Sequence, residues 1–211
     1  KRQAYSFSRK STVFPRELIV DDSYGSIDEI PRWVEKITFK SNSFSDVSEL
    51  VLSGFPNLRS LVFEDGSFAN VNAIELDLPV VEELIIGVGC FSGMNSGRRL
   101  SVDVGRFVLN CPLLNIIRIG SGSFGNINVI TMTSVSVNLE IELEMDSMKN
   151  VNRIEYDVSI SVSVVRRIEM AIENTPGHEG DVVIEEVIPT TTVPTTSIPT
   201  TSIPTTQIPT T

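Results

Sequence analysis

The stretch Val71-Asn72-Ala73-Ile74-Glu75-Leu76-Asp77-Leu78-Pro79-Val80-Val81-Glu82-Glu83-Leu84-Ile85-Ile86-Gly87-Val88-Gly89-Cys90-Phe91 contains one spacing twice. Val71, Ile74 and Leu76 stand as apolar-x-x-apolar-x-apolar, and so do Val81, Leu84 and Ile86. The last two residues of each triplet are two apart, so in an extended chain they share a face. Branched side chains at that period suit a strand with one side on a core. An amphipathic helix needs a longer window and a three-four alternation, and each half of the stretch must also turn.

The same triplet recurs on both sides of this stretch. After a phenylalanine come Val47, Leu50, Leu52 and Ile127, Ile130, Met132; after a proline come Val34, Ile37, Phe39, then Leu58, Leu61, Phe63, and Leu114, Ile117, Ile119. Val151, Ile154 and Tyr156 follow Met148. The pairs Ser43-Phe44, Ser67-Phe68, Cys90-Phe91, Ser123-Phe124 and Ser147-Met148 lie at steps of 24, 23, 33 and 24 residues. Pro56, Pro79 and Pro112 each stand twelve residues before their phenylalanine, Pro31 stands thirteen before Phe44, and Ser136 keeps the phase before Met148.

A period between about 20 and 50 residues marks a solenoid, in which each unit buries its apolar side only against its neighbours. The expected fold is a mainly β repeat solenoid, leucine-rich-repeat-like, with coils of about 23–24 residues and parallel strands on two faces. Strands roughly 4.8 Å apart make a stack of about six coils near 30 Å long, with Phe44, Phe68, Phe91 and Phe124 as an internal column.

The step of 33 residues is a normal coil with an insertion near residues 94–103, carrying Arg98 and Arg99. Insertions in repeat proteins map to loops on one face, often the binding face. A tolerated hairpin without a role is the plain alternative. Leu18, Val20, Tyr24, Ile27 and Ile30 read as a shortened first coil. At the other end Val165, Ile168 and Met170 fit a last strand, while Val164, Ile168, Ala171 and Ile172 fit a short helix over 163–174; the pattern leaves both open.

Residues 1–188 are the expected solenoid domain, and residues 189–211 a disordered threonine-proline tail in a five-residue repeat. Proline at every fifth position keeps such a segment extended as a semi-rigid spacer. Threonine beside proline reads as an O-glycosylated, mucin-like stalk, with Thr190, Thr191, Thr195, Thr196, Thr200, Thr201, Thr205 and Thr206 as candidate sites. The repeat is cut mid-unit at Thr211, and Lys1 is neither an initiator methionine nor part of a signal sequence. Both are expected of a piece of a longer chain, with any targeting segment or anchor outside it.

Seventeen Lys and Arg against 27 Asp and Glu give a net charge of −10, which argues against nucleic acid as a partner. No apolar run approaches the roughly 18 residues that span a bilayer, so a membrane enters only through an anchor elsewhere. Cys90 and Cys111 occupy different phases of the repeat and are expected as buried free thiols. One histidine, His178, and two cysteines cannot complete a zinc site, and no nucleophile stands in phase with the histidine. Catalytic residues, cofactors and metals are therefore all expected to be none. Glu140, Glu142 and Glu144 place three carboxylates on one strand face, ordinarily a solvated face. Asn70, Asn126 and Asn150 stack in phase and are expected to satisfy backbone groups at a bend.

The outward position before the last apolar residue of each proline-side strand runs Thr38, Val62, Ile85, Arg118, Glu142 and Glu169. Contiguous exposed apolar residues often mark an interaction site, so this row is a candidate contact strip.

The run Ile74 to Pro79, then Val81, Leu84, Ile86-Gly87 and Cys90-Phe91, resembles the BspA-like leucine-rich repeat, over roughly residues 15 to 170. Val47, Val71 and Ile127 stand where that family has a cysteine three residues after the phenylalanine. The resemblance implies a secreted or surface protein associated with adhesion. The expectation is a non-enzymatic extracellular or cell-surface binding domain, with a protein or glycan ligand outside the cell. The alternatives are a β-helical carbohydrate-active protein with the tail as linker, and a structural surface or matrix component.

Overall fold

The computed structural model describes residues 16–24, 26–93, 105–178 and 180–187. The insertion with Arg98 and Arg99, and the tail with all eight candidate threonines, lie outside the described residues.

The described chain is mainly β, with two parallel six-stranded sheets and one α-helix. One sheet is ordered β1 (Glu17–Val20), β2 (Lys36–Phe39), β4 (Ser60–Phe63), β6 (Glu83–Ile86), β8 (Ile116–Ile119) and β10 (Glu140–Leu143), with β2, β4, β6 and β8 each following a proline corner. The other sheet begins with the strands that follow an aromatic corner, β3 (Glu49–Ser53), β5 (Ala73–Asp77), β7 (Gly105–Cys111), β9 (Ile127–Val135) and β11 (Arg153–Asp157), and ends on β12 (Val183–Val187). The triplets set the register: Ile37, Leu61, Leu84, Ile117 and Ile141 are successive partners in the proline-side sheet. Leu50, Ile74, Phe107, Ile130 and Ile154 are partners in the aromatic-side sheet. A slip of one residue would turn each of these outward, so burial of the inner face fixes the pairing.

The expected ring column is present. Phe44 stacks on Phe68 at 4.9 Å, Phe68 on Phe91 at 6.1 Å, and Phe91 lies against Phe124 at 5.3 Å. Phe39 and Phe63, the last triplet residues of β2 and β4, stack at 5.2 Å and meet that column edge-on. Each fully buried ring contributes roughly 1.5 to 3 kcal/mol by removal from water.

At these corners the backbone is left-handed twice within three residues. Phe44, Phe68, Phe91, Phe124 and Met148 have φ between 53° and 56°; two residues earlier Asn42, Gly66, Gly89, Gly122 and Asp146 have φ between 57° and 71°. Glycine, asparagine and aspartate tolerate that region, which explains their place there. The earlier residue donates its N–H forward, as Gly66 to Val88 O at 2.8 Å and Gly89 to Ser121 O at 2.9 Å. The aromatic residue donates backward, as Phe68 to Ser43 O at 2.8 Å and Phe124 to Cys90 O at 3.0 Å. The corners at Phe68, Phe124 and Met148 are thus stitched on both sides.

The ends depart from the repeat. In the first unit a single 3-10 turn, Ile27–Glu29, stands where later units have an aromatic-side strand. The Phe44 N–H donates not to a backbone carbonyl but to Asp22 Oδ1 at 2.6 Å. At the far end the open alternative resolves to α1 (Val162–Glu173), which occupies the next proline-side position beside β10. Val164, Val165, Ile168 and Ile172 are buried at helical spacing, while Met170, inward in a strand, is 59% exposed.

Candidate functional site

The strip is brought together along the outer face of the proline-side sheet. Thr38, Val62, Ile85, Arg118 and Glu142 are direct register partners on β2, β4, β6, β8 and β10. Glu169 does not join them: it lies on α1, paired with Arg166 at 3.1 Å, because a helix has replaced the strand the phase called for. Ile19 on β1 does belong to the row as partner of Thr38, and at 56% exposure it is its most open apolar member. It stands between Leu18 and Val20 as Val62 does between Leu61 and Phe63, so the same rule finds it. Thr38 is itself buried at 8% exposure, and Val62 and Ile85 are half-buried.

The row ends in charge. Arg118 donates from Nε to Glu142 Oε2 at 2.7 Å and pairs with Glu83 Oε1 at 3.2 Å. The bond that Arg118 donates to Glu142 is the largest cause raising the guanidinium above its ordinary pKa.

Where β6, β8 and β10 end, a shallow groove of about 310 Å³ opens in this face. Its lining includes Ile85, Gly87, Val88, Arg118, Gly120, Glu142, Glu144 and Asp65. A Cβ on Gly120 would lie 2.7 Å from the backbone of Gly87 and Val88, and one on Gly87 2.7 Å from Asp65 N. The close approach of successive repeats therefore requires glycine at both positions. The rim carboxylates are held in place. Asp65 Oδ1 accepts from Val88 N at 2.9 Å, and Glu144 Oε2 accepts from Ser121 N and Oγ at 3.0 and 3.1 Å.

On the opposite face the arginines are engaged within the sheet. Arg106 bonds Thr131 Oγ1 at 2.8 Å and Glu155 at 2.7 Å, and Arg153 lies 3.6 Å from both Glu155 and Glu185. Asn70 and Asn150 donate to the carbonyls of Ser45 and Gly125 in the preceding repeat at 2.7 and 2.6 Å, the scaffold role expected of that ladder. His178 sits in the turn after α1, its N–H on Thr175 O at 3.1 Å. Both cysteines are free and buried. Burial raises the Cys90 thiol and pushes that of Cys111 up to about 12.

Among the described residues no group of three His, Cys, Asp or Glu side chains is placed to hold a metal, and no helix is long and apolar enough to cross a membrane. The chain matches no protein-family model, no curated protein and no solved structure.

Proposed function

We propose that this chain is a non-enzymatic binding or adhesion domain of the cell surface or extracellular space. In this reading the two sheets are the faces of a leucine-rich-repeat-like solenoid, and the threonine-proline tail is a disordered, O-glycosylated stalk that presents it. The observation that carries the reading is the in-register outer row from Ile19 to Glu142 with the groove beside it: partly exposed apolar residues bordered by ordered charges. The BspA-like resemblance and the tail composition support the setting. The partner is a protein or glycan outside the cell.

The test immobilises the domain and measures binding to a panel of matrix proteins and mucin glycans. A double substitution, Val62→Asp with Ile85→Asp, abolishes capture while the circular dichroism spectrum is kept. Val51→Asp, at an exposed outer position of the aromatic-side sheet, leaves capture intact. The opposite pattern refutes the assignment of the face.

One observation favours a second reading, that of a carbohydrate-active protein: Arg118, Glu142, Glu144 and Asp65 do gather on one outer face. Release of reducing ends from a polysaccharide, lost on Glu142→Gln with Glu144→Gln, would establish it. Against it, Arg118 engages Glu142, and Ser121 engages Glu144.

A further inference from the structure

We infer that the groove on the proline-side sheet takes an extended segment of a partner protein in which a lysine or arginine stands beside an aliphatic residue. The inference rests on the binding role just proposed and adds the chemistry of the partner.

Shape comes first. The groove crosses two strand steps, roughly 10 Å, and its volume of about 310 Å³ lies at the low end of ligand sites. A helix with its side chains is about 10–12 Å across and does not enter. An extended backbone does, lying along the strand ends that Gly87, Val88 and Gly120 line.

Charge comes second. Asp65, Glu142 and Glu144 face the groove against the single cation Arg118, in a chain of net charge −10. Each carboxylate uses one oxygen in its described bonds: Asp65 Oδ1 on Val88 N, Glu142 Oε2 on Arg118, Glu144 Oε2 on Ser121. The second oxygen of each remains as an acceptor, and a donor-rich, positively charged group makes the strongest bonds to several such acceptors at once. Apolar contact is supplied by Ile85 and by Val88, which is 49% exposed. No lining residue is aromatic, so the groove offers no stacking surface to a sugar ring.

The experiment titrates the isotopically labelled domain with a blocked pentapeptide of alternating valine and lysine, and separately with its valine-glutamate counterpart. The lysine peptide moves the amide resonances of Gly87, Val88, Gly120 and Ser121, the glutamate peptide does not, and raised salt weakens the effect. Glu142→Gln with Glu144→Gln keeps the melting temperature and weakens the lysine peptide about tenfold, as loss of charge-assisted bonds requires. Ile85→Asp, which adds charge but removes the apolar contact, weakens it as well. Equal shifts from both peptides, shifts confined to the aromatic-side sheet, or no shifts at millimolar peptide would overturn the inference. Lysine-peptide shifts in the groove without capture of any matrix protein or glycan would remove the extracellular role and leave the groove's specificity standing. The reverse result would remove the specificity alone.

Discussion

At the aromatic corners the backbone enters the left-handed region twice in three residues, and at Phe68 and Phe124 both N–H groups leave for neighbouring repeats. At the proline corners Gly54 alone has a positive φ, and the turn closes on itself: Leu58, Val81 and Leu114 donate to Phe55, Leu78 and Cys111 at 3.4, 3.4 and 3.0 Å. Proline then occupies the second position of a four-residue turn, where its fixed φ is already correct. Both corners also carry bonds of the other kind, Val71 to Phe68 O at 3.1 Å within an aromatic corner and Leu78 to Asn110 O at 3.1 Å out of a proline one, so the difference is one of degree. The aromatic corner adds left-handed residues whose N–H groups face the neighbouring repeats, so damage there should spread further along the stack.

The hardest way to break this contrast is Phe68→Ala. Phe68 has ring neighbours on four sides, Phe44, Phe91, Phe39 and Phe63, and no exposure. Urea denaturation should show a loss of about 3 to 5 kcal/mol, as for other buried phenylalanines cut to alanine. A loss below about 1 kcal/mol, the size of an ordinary surface change, would mean that the column does not hold the corners together.

What the sequence made legible follows the same contrast. Inner residues were readable because strand period and repeat phase agree at every unit, and the row Thr38, Val62, Ile85, Arg118, Glu142 followed from that phase. The left-handed pair was not read. Its signal, a Gly, Asn or Asp two residues before each aromatic, is visible in Asn42, Gly66, Gly89, Gly122 and Asp146, but glycine near a turn has many meanings until φ is known. Glu169 was misplaced because phase extrapolates past β10, the last proline-side strand; beyond it that side of the core is closed by a helix whose burial obeys the 3.6 period instead. The groove was out of reach, since it arises from Gly87 and Gly120 approaching across repeats, a contact that no local pattern encodes.

A smaller effect isolates the backbone. A Cβ on Gly89 meets no heavy atom within 4 Å, so a side chain there costs only conformational strain. Gly89→Val should lose about 1 to 2 kcal/mol, the penalty of a left-handed residue, and more than Gly89→Asn. Equal costs for the two would show that the strain is not what selects the residue.

Cys111 gives a pH test of a proline corner. Its thiol titrates near 9.0 when unfolded and is pushed up to about 12 in the fold by burial. The folded state therefore holds the proton longer, and the stability it contributes is complete below pH 9 and is lost as pH rises from there toward 12. The difference between the native chain and Cys111→Ala, followed by denaturation at stepped pH, should shrink by about 1.4 kcal/mol per pH unit in that window. A pH-independent difference would place the thiolate in contact with water.

The mildest substitution, Pro79→Ala, tests whether the local corner is truly independent. Pro79 is exposed and has no N–H to lose, and the Val81 bond to Leu78 O does not involve its ring. Its effect acts through the unfolded chain, where alanine has more freedom, so the loss should stay within about 1 kcal/mol. The last proline corner already shows the substitution in place: Leu139 donates to Ser136 O at 3.2 Å with Val137, not proline, in between, helped by the Ser136 hydroxyl that accepts from Asn138 N. If the corners are separate devices, Pro79→Ala and Phe68→Ala should add within about 0.5 kcal/mol in the double variant. A larger coupling would mean that the proline turn also takes its shape from the aromatic stack, and the distinction between a local and a cooperative corner would fall.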